Sequence, residues 1–113
     1  GNPGGQSSTP QVKNPIFGMI IKNLDNVHIL DTNTKWKKLE TGDFAKDSKH
    51  KITWQVPNIF KNGRYKLTLA AAHEDGLAFY DWREEVASFD ITRDDITAGL
   101  VVLEDKPIIS KLS

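Results

Sequence analysis

Apolar and polar residues along this chain alternate in twos far more often than they recur at the spacing of about 3.6 that marks a helix. In Ile52-Thr53-Trp54-Gln55-Val56 the alternation puts Ile52, Trp54 and Val56 on one face of a strand. In Tyr65-Lys66-Leu67-Thr68-Leu69-Ala70-Ala71 it predicts a buried set of Tyr65, Leu67, Leu69 and Ala71, with Lys66 and Thr68 facing outward. Further strands are expected at Ile16 to Lys22, Val27 to Asp31, Leu77 to Trp82, Val86 to Thr92 and Leu100 to Leu103. Turn chemistry separates them at Leu24-Asp25-Asn26, Lys61-Asn62-Gly63 and Glu74-Asp75-Gly76. Short strands at this spacing predict an all-β fold, an antiparallel β-sandwich.

Two stretches depart from the pattern. Gly1 to Val12 holds three glycines, two prolines and six polar residues with one aliphatic side chain. Such a segment buries too little to offset its own ordering, so residues 1–13 read as an arm or linker and residues 14–113 as the sandwich domain. Thr34 to Lys49 scatters Trp36, Leu39, Phe44 and Ala45 among charges and reads as a long connection holding at most a helical turn or two.

Composition narrows the function more than the fold. The 113 residues carry 15 basic and 15 acidic side chains and no cysteine. The even balance gives no electrostatic footprint for nucleic acid or anionic lipid, and the missing cysteine removes disulfides, thiol nucleophiles and thiolate-bound metals. No apolar run approaches the roughly 20 residues of a membrane helix, so a chain without membrane insertion is expected.

Asn14-Pro15-Ile16-Phe17-Gly18-Met19-Ile20-Ile21-Lys22-Asn23, followed by Asp31-Thr32-Asn33-Thr34, resembles the C-terminal domain of the ATP-binding subunit of O-antigen polysaccharide ABC exporters, the Wzt type. Val56-Pro57-Asn58-Ile59, Asn62-Gly63-Arg64-Tyr65-Lys66-Leu67, Tyr80-Asp81-Trp82, Ser88-Phe89-Asp90-Ile91 and Gly99-Leu100-Val101 continue the likeness in order, so that it spans Asn14 to Leu103. The resemblance implies an immunoglobulin-like or jelly-roll sandwich that binds the polysaccharide awaiting export, often as a homodimer completed by strand exchange. It also implies a place at the inner, cytoplasmic face of the cell membrane beside the nucleotide-binding and membrane subunits of an ABC transporter. Two features depart from the family. The glycine-rich arm stands where members usually carry two further strands, and no Gly-x-x-x-x-Gly-Lys-Ser/Thr loop occurs, so the chain is not expected to power transport itself.

Saccharide recognition needs aromatic faces against the C–H bonds of pyranose rings, with amides and carboxylates that reach paired hydroxyls. Trp36, flanked by Lys35, Lys37 and Lys38, is the leading exposed aromatic, although a loop tryptophan can equally cap the sandwich. Trp54 shares the phase of Ile52 and Val56 and reads as core. In Tyr80-Asp81-Trp82-Arg83, alternation would place Tyr80 and Trp82 on one face, with Phe79 and Asp81 on the other. Asp81 then either serves a ligand or satisfies itself through a turn or an arginine. Asn33 follows Asp31 and Thr32 where a strand ends, and all three side chains can close local turns. His28, His50 and His73 lack the short spacing of a metal motif, and His73 precedes a turn. The expected ligand-binding set is Asn33, Trp36, His73, Tyr80, Asp81 and Trp82, with no catalytic residue, metal or cofactor.

Glu74, Asp75, Asp81, Glu84, Glu85 and Asp90 are numerous enough to form a carboxylate pair by chance, yet acids in the loops of a small sandwich are ordinarily solvated, so no enzyme is expected. The leading expectation is a non-catalytic module that binds a bacterial cell-surface polysaccharide. The alternative is a structural or oligomerisation domain that acts through strand exchange or partner docking.

Overall fold

A computed structural model of the chain describes residues 12–45, 47–104 and 106–112. Six strands account for its regular structure: β1 (Val12–Lys13), β2 (Ile16–Asn23), β3 (His28–Asn33), β4 (Asp43–Phe44), β5 (Gly63–Ala72) and β6 (Phe79–Ile91). All pairings are antiparallel. One sheet has four strands in the order β3-β2-β5-β6, and the other has two, β1 and β4. The fold is therefore all-β, consistent with a β-sandwich in which one sheet is small. No helix among the described residues is long and apolar enough to cross a membrane.

The β2–β5 ladder is the backbone of the larger sheet, running without interruption from Ile16↔Ala72 to Asn23↔Tyr65. Successive side chains alternate across it, so Met19, Ile21, Tyr65 and Leu67 share one face, while Gly18, Ile20, Thr68 and Ala70 share the other. The first face carries the core. Met19, Ile21, Phe60 and Tyr65 are buried there, with Ile29, Leu30, Trp54, Val56, Leu67 and Phe89 packed around them. Phe60, Tyr65 and Phe89 form a mutual aromatic cluster with centroids 5.0 to 5.7 Å apart. The Tyr65 hydroxyl donates to the Lys61 carbonyl at 2.7 Å, which satisfies the one polar atom of that buried ring. Burial also pushes the Tyr65 phenol above its ordinary pKa.

Polar side chains secure the connections. Asn23 Oδ1 accepts the amides of Asp25 and Val27 at 2.9 and 3.0 Å and closes the β2–β3 hairpin, where Asn26 adopts φ 62°. Asn14 Oδ1 accepts from the Thr41 and Gly42 amides at 2.9 and 3.2 Å, tying the start of β2 to the approach to β4. Arg93 folds under the sheet: its guanidinium donates to the carbonyls of Asn58 and Phe60 and meets Asp95 and Glu104 at 2.8 and 3.1 Å.

Several sequence expectations change. Residues 52–56 form no strand; Trp54 and Val56 turn inward as alternation demands, but no neighbouring strand among the described residues offers a ladder, and Ile52 stays 44% exposed. The two strands expected at 77–82 and 86–92 are one, β6, because Arg83-Glu84-Glu85 bulges rather than turns. Leu100 to Leu103 contributes only an isolated bridge, Val101 to Phe60. Within β5, Thr68 is buried and Leu69 is 36% exposed, the reverse of the expected sense, because the β6 bulge closes over Thr68. Lys13 and Val12, assigned to the arm, pair with Asp43 and Phe44. The rest of the expected arm lies outside the described residues.

Met19 and Ile52 both sit in apolar phase but differ in burial. Met19→Ala is expected to cost about 2–5 kcal/mol in urea unfolding, whereas Ile52→Ala costs less than about 1 kcal/mol. Equal losses would contradict the assigned core. The raised Tyr65 value makes its contribution to stability complete below about pH 10 and lost as pH climbs through the folded-state value. Tyr65→Phe should therefore flatten the alkaline limb of a stability–pH curve.

Candidate functional site

On the sheet face opposite the core, four paired residues form a row across all the strands: Asn33, Gly18, Ala70 and Trp82. Strand spacing of about 4.8 Å puts roughly 14 Å between the two ends of that row. The two middle positions carry almost no side chain, so the row is a trough with an amide on one rim and an indole on the other. A cavity of about 410 Å³ occupies it, within the roughly 300–1,000 Å³ typical of small-molecule sites. Its lining adds Trp36, Lys35, Asp31, Asp75, Gly76 and Phe79 to those four, with Ile16, Ile20, Thr68 and Ala72 in the floor.

The floor is low because Gly18 carries no side chain. A Cβ there would rest in van der Waals contact with the Asn33 Cβ and the Thr32 carbonyl oxygen at 3.4 Å, and a larger side chain would rise into the trough. On the β3 side, Asn33 Oδ1 accepts the Trp36 amide at 2.8 Å, and Asn33 O accepts from Lys37 N at 3.3 Å. Thr34 extends the ladder by exchanging backbone and side-chain bonds with Phe17 at 2.9 and 3.1 Å. These bonds make a turn in place of a helix and hold Trp36 over the rim, 63% exposed. On the β6 side, Trp82 meets Phe79 edge to face at 5.0 Å. Asp75 Oδ1 accepts from the Leu77 amide at 2.8 Å, and Gly76, at φ 76°, turns the β5–β6 loop along the cavity edge.

Three of the six sequence-predicted residues, Asn33, Trp36 and Trp82, line this cavity, and His73, Tyr80 and Asp81 do not. The register of β6 slips beside Ala71 and Ala72, leaving Tyr80 as an extra residue that stacks on His73 at 3.8 Å. Phe79 takes the place beside Trp82 that alternation had given to Tyr80. Asp81 points to the other face and binds Arg83 at 2.8 Å, the self-satisfied arrangement weighed from the sequence. Gly18, Ala70, Asp31, Lys35, Asp75 and Phe79 were not among the expected site residues. Their one legible signal is the run Ala70-Ala71-Ala72, weak strand formers that pay for their presence only where something must approach the sheet.

A second cleft, about 560 Å³, opens on the core face between Met19, Ile21, Trp54, Val56, Phe60 and Leu69. It is the partly uncovered side of the apolar layer and offers a ligand little beyond the Asn58 amide. The first cavity combines aromatic faces with an amide, two carboxylates and an ammonium, and is the better-equipped ligand site. No cluster of three His, Asp or Glu side chains suited to a metal occurs among the described residues.

A family model, the Wzt C-terminal domain, matches residues 7–103. The chain belongs to that family. The match runs through every strand and includes the whole cavity lining. No curated protein matches the chain.

Asn33→Ala removes the acceptor of the Trp36 amide. It should lower stability by about 1 kcal/mol and raise the mobility of Trp36, read as a loss of tryptophan fluorescence anisotropy in a Trp54→Phe, Trp82→Phe background. Unchanged anisotropy would show that Trp36 is held by other contacts.

Proposed function

We propose that this Wzt C-terminal domain binds a saccharide of an O-antigen-like bacterial polysaccharide in the trough between Trp36 and Trp82, and does so without cleaving it. The observation that carries this reading is the trough itself: two solvent-facing indoles border a floor of Gly18 and Ala70, with Asn33, Asp31 and Asp75 at its edge. A pyranose ring has apolar C–H faces and an equatorial fringe of hydroxyls, and aromatic walls with planar polar groups complement both. Asp31 and Asp75 already hold His28 at 3.3 Å and the Leu77 amide at 2.8 Å. Anchored in this way, their remaining oxygens suit hydroxyl recognition rather than bond cleavage.

Each sugar hydroxyl exchanges water for protein with a small net gain, so single-site affinity is modest and a dimer gains through avidity. In this reading the domain works in the cytoplasm, at the inner face of the cell membrane. There it presents the glycan to the nucleotide-binding and membrane subunits of the exporter.

A second reading, an oligomerisation domain, is favoured by a different feature. Among the described residues no strand pairs with the outer edge of β6, and Ile108, Ile109 and Leu112 in the C-terminal segment are 92%, 94% and 90% exposed. Unpaired strand edges and exposed apolar segments invite pairing with another chain.

Calorimetric titration with lipid-free O-polysaccharides separates the two. Trp36→Ala and Trp82→Ala are each expected to weaken binding about tenfold or more, equivalent to about 1.4 kcal/mol, with the thermal midpoint nearly unchanged. A chain that dimerises in sedimentation yet binds none of a broad glycan panel refutes the saccharide reading and supports the second.

A further inference from the structure

We infer that Thr68 is a positioning residue for this trough: by accepting the Glu85 amide it fixes the β6 bulge that sets Trp82 opposite Ala70. The inference rests on the saccharide reading for its functional consequence, while its structural half stands on the strand register alone.

The register gives the reason. Leu67 pairs with Ala87 and Leu69 with Arg83, so β6 spends two more residues than β5 over the same interval. An even insertion preserves which face each later side chain occupies, but it slides the rest of β6 by two residues. Continuing the Leu67↔Ala87 pairing without the insertion would put Trp82 opposite Ala72 and Glu84 opposite Ala70. The indole would then sit about 7 Å further along the sheet, and a carboxylate would take its place beside Gly18 and Asn33. The trough with its two indole rims exists because of the bulge.

Thr68 is the buried part of what holds that bulge. It is 2% exposed, and its Oγ1 accepts the Glu85 amide at 3.1 Å, where Glu85 adopts φ 50°. The other restraints are ionic. Lys22 lies 3.6 Å from Glu84 and 3.9 Å from Glu85, and Lys66 lies 3.1 Å from Glu85. The carboxylates of those pairs are 62% and 42% exposed, so water and salt weaken them. The Thr68 bond lacks that competition, and losing it leaves an orphaned amide at a left-handed residue.

The test compares Thr68→Val, Thr68→Ser and the double variant Glu84→Gln, Glu85→Gln by NMR and by titration with the O-polysaccharide that the parent chain binds. In the parent chain and Thr68→Ser, nuclear Overhauser contacts should join the Trp82 indole to the Ala70 methyl, and affinities should agree within about threefold. Thr68→Val should lose the Ala70 contact and about tenfold or more in affinity, while the Met19 and Tyr65 core contacts persist. The glutamine pair should keep both the contact and the affinity. Retention of the Ala70 contact and of parental affinity by Thr68→Val overturns the inference, as does their loss in the glutamine pair alone. Should Thr68→Val fail to fold, hydrogen exchange in the parent chain decides: a protected Glu85 amide supports the bond, and exchange at the rate of an open loop refutes it. A parent chain that binds no glycan refutes the saccharide reading and the affinity consequence with it. The Ala70 contact would still report whether Thr68 sets the register.

Discussion

The unbroken pairing of β2 with β5 governs everything else in this domain. Its eight consecutive pairs, from Ile16↔Ala72 to Asn23↔Tyr65, fix which side chains meet the apolar layer and which face the trough. A slip of one residue would exchange Met19 and Ile21 for Gly18 and Ile20. The ladder can be this strict because both strands are interior: β3 and β6 occupy the edges. One pair of strands thus supplies a core on one side and the floor of a candidate ligand site on the other.

Irregularity is confined to the outer strands, where it costs the central ladder nothing. β3 shifts register next to Lys22, and β6 shifts twice, once opposite Thr68 and once beside Ala72. The second shift removes Tyr80 from the trough and hands its place to Phe79. Bulges gather at sheet edges near functional surfaces because an edge strand can bend toward a ligand without unpairing a neighbour on its far side. The Trp36 rim is built by different means, through a turn secured by the Asn33 amide and by Thr34. The two indoles therefore reach one cavity by unrelated local devices.

The two faces also divide the chemistry. Around the core, polar groups serve structure: the Tyr65 hydroxyl satisfies Lys61 O, and Arg93 gathers the carbonyls of Asn58 and Phe60 with the carboxylates of Asp95 and Glu104. Around the trough, the same residue types leave part of their bonding capacity facing solvent. Among the described residues, Asp31, Asn33 and Asp75 each make one side-chain bond to protein and have bonding capacity left to offer. A site of that kind suits a ligand rich in hydroxyls, which must replace many weak water bonds at once.

Much of this was legible in the sequence. Period-two alternation determined the all-β class, the strands β2, β3 and β5, and the inward direction of Trp54, because side-chain direction in an extended chain is a local property. The hairpin residues Asp25 and Asn26 declared their turn for the same reason, and the family likeness was carried by contiguous motifs. Asn33, Trp36 and Trp82 were identifiable as ligand-binding candidates by residue type. What only the tertiary structure decided was where strands lacked partners and where the register shifted. Residues 52–56 alternate as a strand does and form none, and Arg83 to Glu85 look like a turn between strands and are a bulge within one. Register belongs to a pair of strands and to neither alone, so no single stretch of sequence could show that Ala70 lies beneath Trp82.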